Sequence, residues 1–136
     1  MVNCVVLATD RSIDFREIFD RVKRLLPNAY LNSDRIVDEG VNDNLFIDVY
    51  NDATREMEPE ELGTIERLIP SASMYLISYH SMDRVKGLLL ELADDPMMVV
   101  DNDAGTTLPG PDFVARLRAE PQWDLFEESR RMRGWK

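Results

Sequence analysis

The chain has one cysteine and one histidine in 136 residues. A single thiol, Cys4, makes no internal disulfide, and four-cysteine zinc sites are excluded. A lone imidazole, His80, gives no recognisable zinc set. Cys4 sits within an apolar run and reads as a small buried hydrophobe rather than a nucleophile. Long apolar runs are missing as well, since none approaches the roughly 18 residues of a membrane helix. No basic stretch followed by a long apolar one opens the sequence, so a cytoplasmic location is expected. The phosphate-cradling glycine motifs and the G-x-S-x-G elbow do not occur, which argues against the common nucleotide enzymes and serine hydrolases.

Positive charge is scarce: 16 Lys and Arg stand against 26 Asp and Glu, giving a formal charge of −10 and a pI near 4.5. Phosphate backbones and anionic lipids would repel such a chain, so no nucleic acid and no membrane partner is expected. Basic proteins, cations and neutral small molecules remain. The acidic field also serves solubility.

Hydrophobic residues make up 44% of the chain and charged ones 31%, a balance that supports one folded domain of this length. No repeat and no low-complexity segment is present. Residues 1–126 read as a single α/β domain and residues 127–136 as a basic C-terminal tail. Trp123 and Phe126 are expected to anchor the end of the domain through aromatic burial.

Four apolar runs each end in a polar cluster. Val5–Ala8 leads to Thr9–Asp10, Phe46–Tyr50 to Asn51–Asp52, Tyr75–Tyr79 to His80–Ser81, and Met97–Val100 to Asp101–Asp103. Helical periodicity separates them. Asp14 and Glu17 have capping-box-like spacing before Phe15, Ile18, Phe19, Val22, Leu25 and Leu26. Glu17 with Arg21 and Asp20 with Arg24 are acid-before-base pairs on the other face. Pro59 opens a second helix, Ser81 or Asp83 caps a third, and Pro111 opens a fourth. Arg35–Asp38 reads as a short strand, and Leu45–Tyr50 alternates like a half-buried one.

The expected fold is therefore an α/β or α+β sandwich, with a mixed sheet of four or five strands and three or four helices. A ferredoxin-like βαββαβ core through residue 80, extended by a helix, strand and helix, is one version. A parallel sheet wound with helices on both faces is the rival. Parallel strands would bring the polar clusters to one rim, where open α/β sheets bind ligands; antiparallel strands would scatter them.

Asp101-Asn102-Asp103-Ala104-Gly105-Thr106-Thr107 is the most chemistry-like string. A strand followed by Asp-x-Asp, Gly and Thr resembles the nucleophile motif of haloacid-dehalogenase-type phosphotransferases. That resemblance implies one carboxylate attacking phosphorus and a second handling a proton. Here Ala104 is an extra residue before Gly105, and the chain leaves no room downstream for the lysine and acidic pair of such enzymes. As a calcium loop the string departs at the fifth and sixth positions, occupied by Gly105 and Thr106. A receiver-like site from Asp10, Asp52 and Asp101 or Asp103 lacks the second acid after the first strand and the late lysine. Weak Mg²⁺ or Ca²⁺ affinity is the residual expectation, with no dedicated cofactor. The competing reading is that Asp, Asn and Ser at these places are helix caps and turns. Ser78 and Ser81 lie near His80, but strand alternation makes neither its natural partner.

Two functions follow. One is a non-enzymatic acidic protein-binding module, of the bacterial immunity or antitoxin type, that masks a basic partner with Asp48, Tyr50, Asp52, Tyr75, Tyr79 and His80. The other is a metal-assisted hydrolase or phosphotransferase built from Asp101, Asp103 and Asp10.

Overall fold

The computed structural model describes residues 3–40 and 43–125. Its elements run β1 (Asn3–Thr9), α1 (Phe15–Leu25), β2 (Tyr30–Asn32), β3 (Arg35–Asp38), β4 (Leu45–Val49), α2 (Ala53–Glu56), α3 (Pro59–Leu68), β5 (Ser73–Tyr79), α4 (Met82–Leu92), β6 (Met98–Asp101), β7 (Thr107–Pro109) and α5 (Gly110–Ala119). The seven strands form one sheet in the order β2-β3-β4-β5-β1-β6-β7. Every pairing is antiparallel.

The α+β class stands, but among the described residues the sheet has seven strands rather than four or five, and five helices accompany it. The extra strands are β2 and β7, three residues each. Both are too short for a periodic signal, and Pro109 argues against a strand except at an edge, where β7 lies. The ferredoxin-like arrangement fails. It would set the first strand against the third, whereas β5 stands between β1 and β4. The parallel alternative fails because no strand pair among the described residues is parallel. A helix between two strands does not fix their direction; here the pairing partner does.

Strand alternation splits the apolar residues between two cores. Val5, Leu7, Ile36, Ile47, Tyr75, Ile77, Tyr79 and Val100 face α1, α4 and α5. Val6, Ala8 and Val99 face α2 and α3, where Ala53, Met57, Ile65 and Ile69 cover them. Helix α1 forms as its sequence suggests: the Asp14 carboxylate accepts the Glu17 N–H, and Ile18 and Val22 are fully buried. Arg21 pairs with Glu17 at 2.8 Å, while Asp20 turns back to Arg16 instead of on to Arg24. Ser81 caps α4 through the Arg84 N–H. Arg84 then ties α4 to the end of β3 by reaching the Asp38 carboxylate and the Asp43 carbonyl. Trp123 is buried against Phe113, as expected of an anchor. Phe126 and the basic tail lie outside the described residues.

Candidate functional site

The antiparallel sheet divides the four polar clusters two and two. Strands β1 and β4 run one way, and β5 and β6 the other. Asp10 and Asp52 therefore end up on one rim, and His80, Asp101 and Asp103 on the opposite one. Asp101 pairs with Val6 near the start of β1, whereas Asp10 follows Thr9 at its end. The expected three-carboxylate set of Asp10, Asp101 and Asp103 is not assembled.

Several of these residues are turns and caps. Asp10 accepts the Ser12 N–H at 2.9 Å, and hydrogen bonds from Ser12 hold its pKa below the ordinary carboxylate value. Asp52 sits at the start of α2, its carboxylate on Arg55. Asp101 accepts the Asp103 N–H at 2.6 Å and the Thr107 hydroxyl at 2.7 Å. Asn102 accepts the N–H groups of Ala104 and Thr106 and donates to the Leu125 carbonyl. This network holds Asp103 at φ 58° and Gly105 at φ 104°, both left-handed.

The tyrosines also separate. Tyr75 and Tyr79 lie in the core under α1 and α4, so they are not surface residues. Burial pushes the Tyr79 phenol up to about 12 and raises that of Tyr75 as well. His80 is exposed beyond the end of β5.

Asp48 and Tyr50 instead share the face on which α2 and α3 pack. The register lays out two rows there. Thr107, Asp101, Val6, Leu76, Asp48 and Arg35 form one. Cys4, Ser78, Phe46, Val37 and Tyr30 form the next. Helices α2 and α3 leave Cys4, Phe46, Asp48 and Ser78 half-buried. The Cys4 thiol lies 3.7 Å from the Ser78 hydroxyl. Burial raises its pKa; the Ser78 contact opposes this, and the charges of Asp103, Asp48 and Glu56 add to it. The Tyr50 phenol is raised by burial, by its hydrogen bond to Glu56, and by the charges of Glu56 and Asp103. Arg35 grips Asp48 with two hydrogen bonds, at 2.8 and 3.1 Å, and lies over the Phe46 ring.

Helix α3 brings a further acid. Glu61 is buried, and its carboxylate, with those of Asp101 and Asp103, offers one oxygen each within 4.8 Å of one another. Asp48 from β4, Glu56 from α2, Glu61 from α3, Asp101 at the end of β6 and Asp103 in the β6–β7 loop thus lie on one face of the sheet. Glu61 was not singled out in the sequence, and Cys4 and Ser78 were read there as a buried thiol and a neighbour of His80 rather than as members of this face. Alternation does place Cys4 opposite in sense to Val5 and Leu7, and Glu61 stands one helical turn before Ile65. The chain matches no protein-family model, and no similar protein was found among curated proteins or solved structures.

Proposed function

We propose that the protein is a non-catalytic acidic binding module whose α2/α3 face docks a basic protein partner, in the manner of an immunity- or antitoxin-type inhibitor. The observation that carries this reading is that Asp48, Glu56 and Asp103 lie on one sheet face close enough to Cys4 for their charges to act on its thiol, with Glu61 and Asp101 buried beside Asp103. Carboxylates gathered this way attract a basic surface at long range and select against acidic ones. Half-buried Tyr50, Phe46 and Leu76 supply the apolar and aromatic contact that turns encounter into affinity. The probe is an oligo-arginine peptide titrated into labelled protein. Amide shifts are expected across β4, the start of β1 and the β6–β7 loop, with affinity falling as salt rises. Neutralising the face with Asp48→Asn and Glu56→Gln is expected to weaken binding more than Asp20→Asn with Glu91→Gln on the helix side. Equal losses from both pairs would reduce the effect to net charge and overturn the reading.

A second reading rests on the geometry of Glu61, Asp101 and Asp103. Three carboxylates this close repel unless a shared proton or a cation stands among them. Their hard oxygens suit Mg²⁺ or Ca²⁺, and hydrolase or phosphotransferase chemistry would be carried by that ion. Calorimetric titration with each cation is expected to give saturable binding that Glu61→Gln removes. Heats that never saturate would set this reading aside.

A further inference from the structure

The two edges of the sheet are unlike. At β7, Pro109 has no N–H to offer, and α5 begins at the next residue, Gly110. The β2 edge carries no proline or lysine within the strand, and its protection is its shortness, three residues. All three of its residues are exposed. Tyr30 and Leu31, 41% and 40% exposed, place two large apolar side chains on successive positions, one on each face.

The hairpin fixes which backbone groups are free. Strand β2 turns into β3 through Ser33 and Asp34, with Ser33 at φ 59° and Asn32 opposite Arg35. In a hairpin closed by two residues, the flanking pair exchanges both of its hydrogen bonds. Asn32 and Tyr30 therefore bond to β3, and Leu31 turns its N–H and C=O away from the sheet. On the α2/α3 side, Tyr30 continues the row of Val37, Phe46, Ser78 and Cys4. A strand added outside β2 would extend the α2/α3 face of the sheet. Asp34 and Glu39 are exposed beside this edge, and Glu39 accepts the Tyr30 hydroxyl.

We infer that the partner engages by strand addition: an extended basic segment pairs with β2 through Leu31. The inference rests on the proposed acidic binding function and specifies how the partner enters. Main-chain hydrogen bonds to Leu31 supply register, Tyr30 and Leu31 supply apolar contact on either side, and Asp34 and Glu39 favour lysine or arginine. The alternating pattern matters because only every second partner side chain points to the α2/α3 side of the sheet, where Glu39 lies against Tyr30.

The test uses a ten-residue peptide alternating Lys and Val, with an alternating Glu and Val peptide as control. The basic peptide is expected to slow hydrogen exchange at the Leu31 amide and to shift Tyr30–Asn32. Leu31→Pro deletes the outward N–H without breaking a β2–β3 bond, and should weaken binding about tenfold, the scale of one lost hydrogen bond. Leu31→Thr keeps the N–H and should bind far better than Leu31→Pro. Exchange protection in the unaltered protein reads the same contact should the proline variant misfold. Binding of the basic peptide with no protection at Leu31 would overturn strand addition and leave the acidic face as the docking surface. Absence of binding by any basic peptide would overturn both. A dimer in sedimentation that Leu31→Pro dissociates would assign the edge to self-association and overturn the inference.

Discussion

At the scale of single residues, burial and hydrogen bonding set the chemistry of the acidic face. Cys4 is half-buried, and burial and neighbouring carboxylates raise its thiol pKa above the ordinary value. The thiolate is the reactive form. Alkylation of Cys4 by iodoacetamide is therefore expected to be slow at pH 7.5 and to reach half its limiting rate at a higher pH than in the urea-unfolded chain. Asp95 follows the opposite logic. Burial works to raise its pKa, but hydrogen bonds from Arg21 and the Met97 N–H, with the Arg21 charge, outweigh it and lower the value. A carboxylate lowered in the folded state stabilises the protein above its unfolded pKa, and that contribution is lost as pH falls through the folded one. Urea unfolding from pH 6 down to about 3 is expected to show a steeper loss of stability in the native chain than in Asp95→Asn. Parallel curves would remove Asp95 from the acid response.

At the scale of elements, two glycines on helices behave oppositely. A Cβ on Gly110, at the first position of α5, would lie 2.1 Å from the Ala93 carbonyl oxygen and 2.9 Å from that of Asp95. Backbone cannot yield as a flexible side chain does, so Gly110→Ala is expected to destabilise by about 1–3 kcal/mol, the cost of overpacking. Gly87 lies within α4, and a Cβ there meets nothing within 4 Å. Gly87→Ala is expected to stabilise by about 0.5–1 kcal/mol through helix propensity. Chemical denaturation of the two variants checks both signs. Losing the Gly110 contact would also release α5 from the start of β6, because Ala93 and Asp95 lie just before that strand.

For the whole molecule, net charge is the controlling quantity. With 26 acidic against 16 basic side chains, the compact state carries self-repulsion that the expanded chain relieves. Adding salt from about 20 to 200 mM shortens the Debye length to below 10 Å. The melting temperature is expected to rise over that range while affinity for a basic peptide falls. A melting temperature that fell with salt would point to attractive ion pairs, such as Arg21 with Asp95, as the larger electrostatic effect.

Local chemistry was readable from the chain alone. Asp14 and Ser81 cap helices because their oxygens meet orphan N–H groups within three residues, and Asp101, Asn102 and Gly105 form a turn for equally local reasons. Periodicity located α1, α3, α4 and α5, and the longer strands, because a buried stripe repeats over several turns. Strands β2 and β7 escaped because three residues carry no period. Strand direction was not written in the helix-separated pattern at all. It arises when β5 lies beside β1 and β6 takes the other side, a choice made by which apolar faces the helices cover. That choice parted Asp10 from Asp101 and sent Tyr75 and Tyr79 into the core. It also carried Glu61 from α3 to Asp101 and Asp103, forty residues away in sequence, where only tertiary packing brings like charges within 4.8 Å.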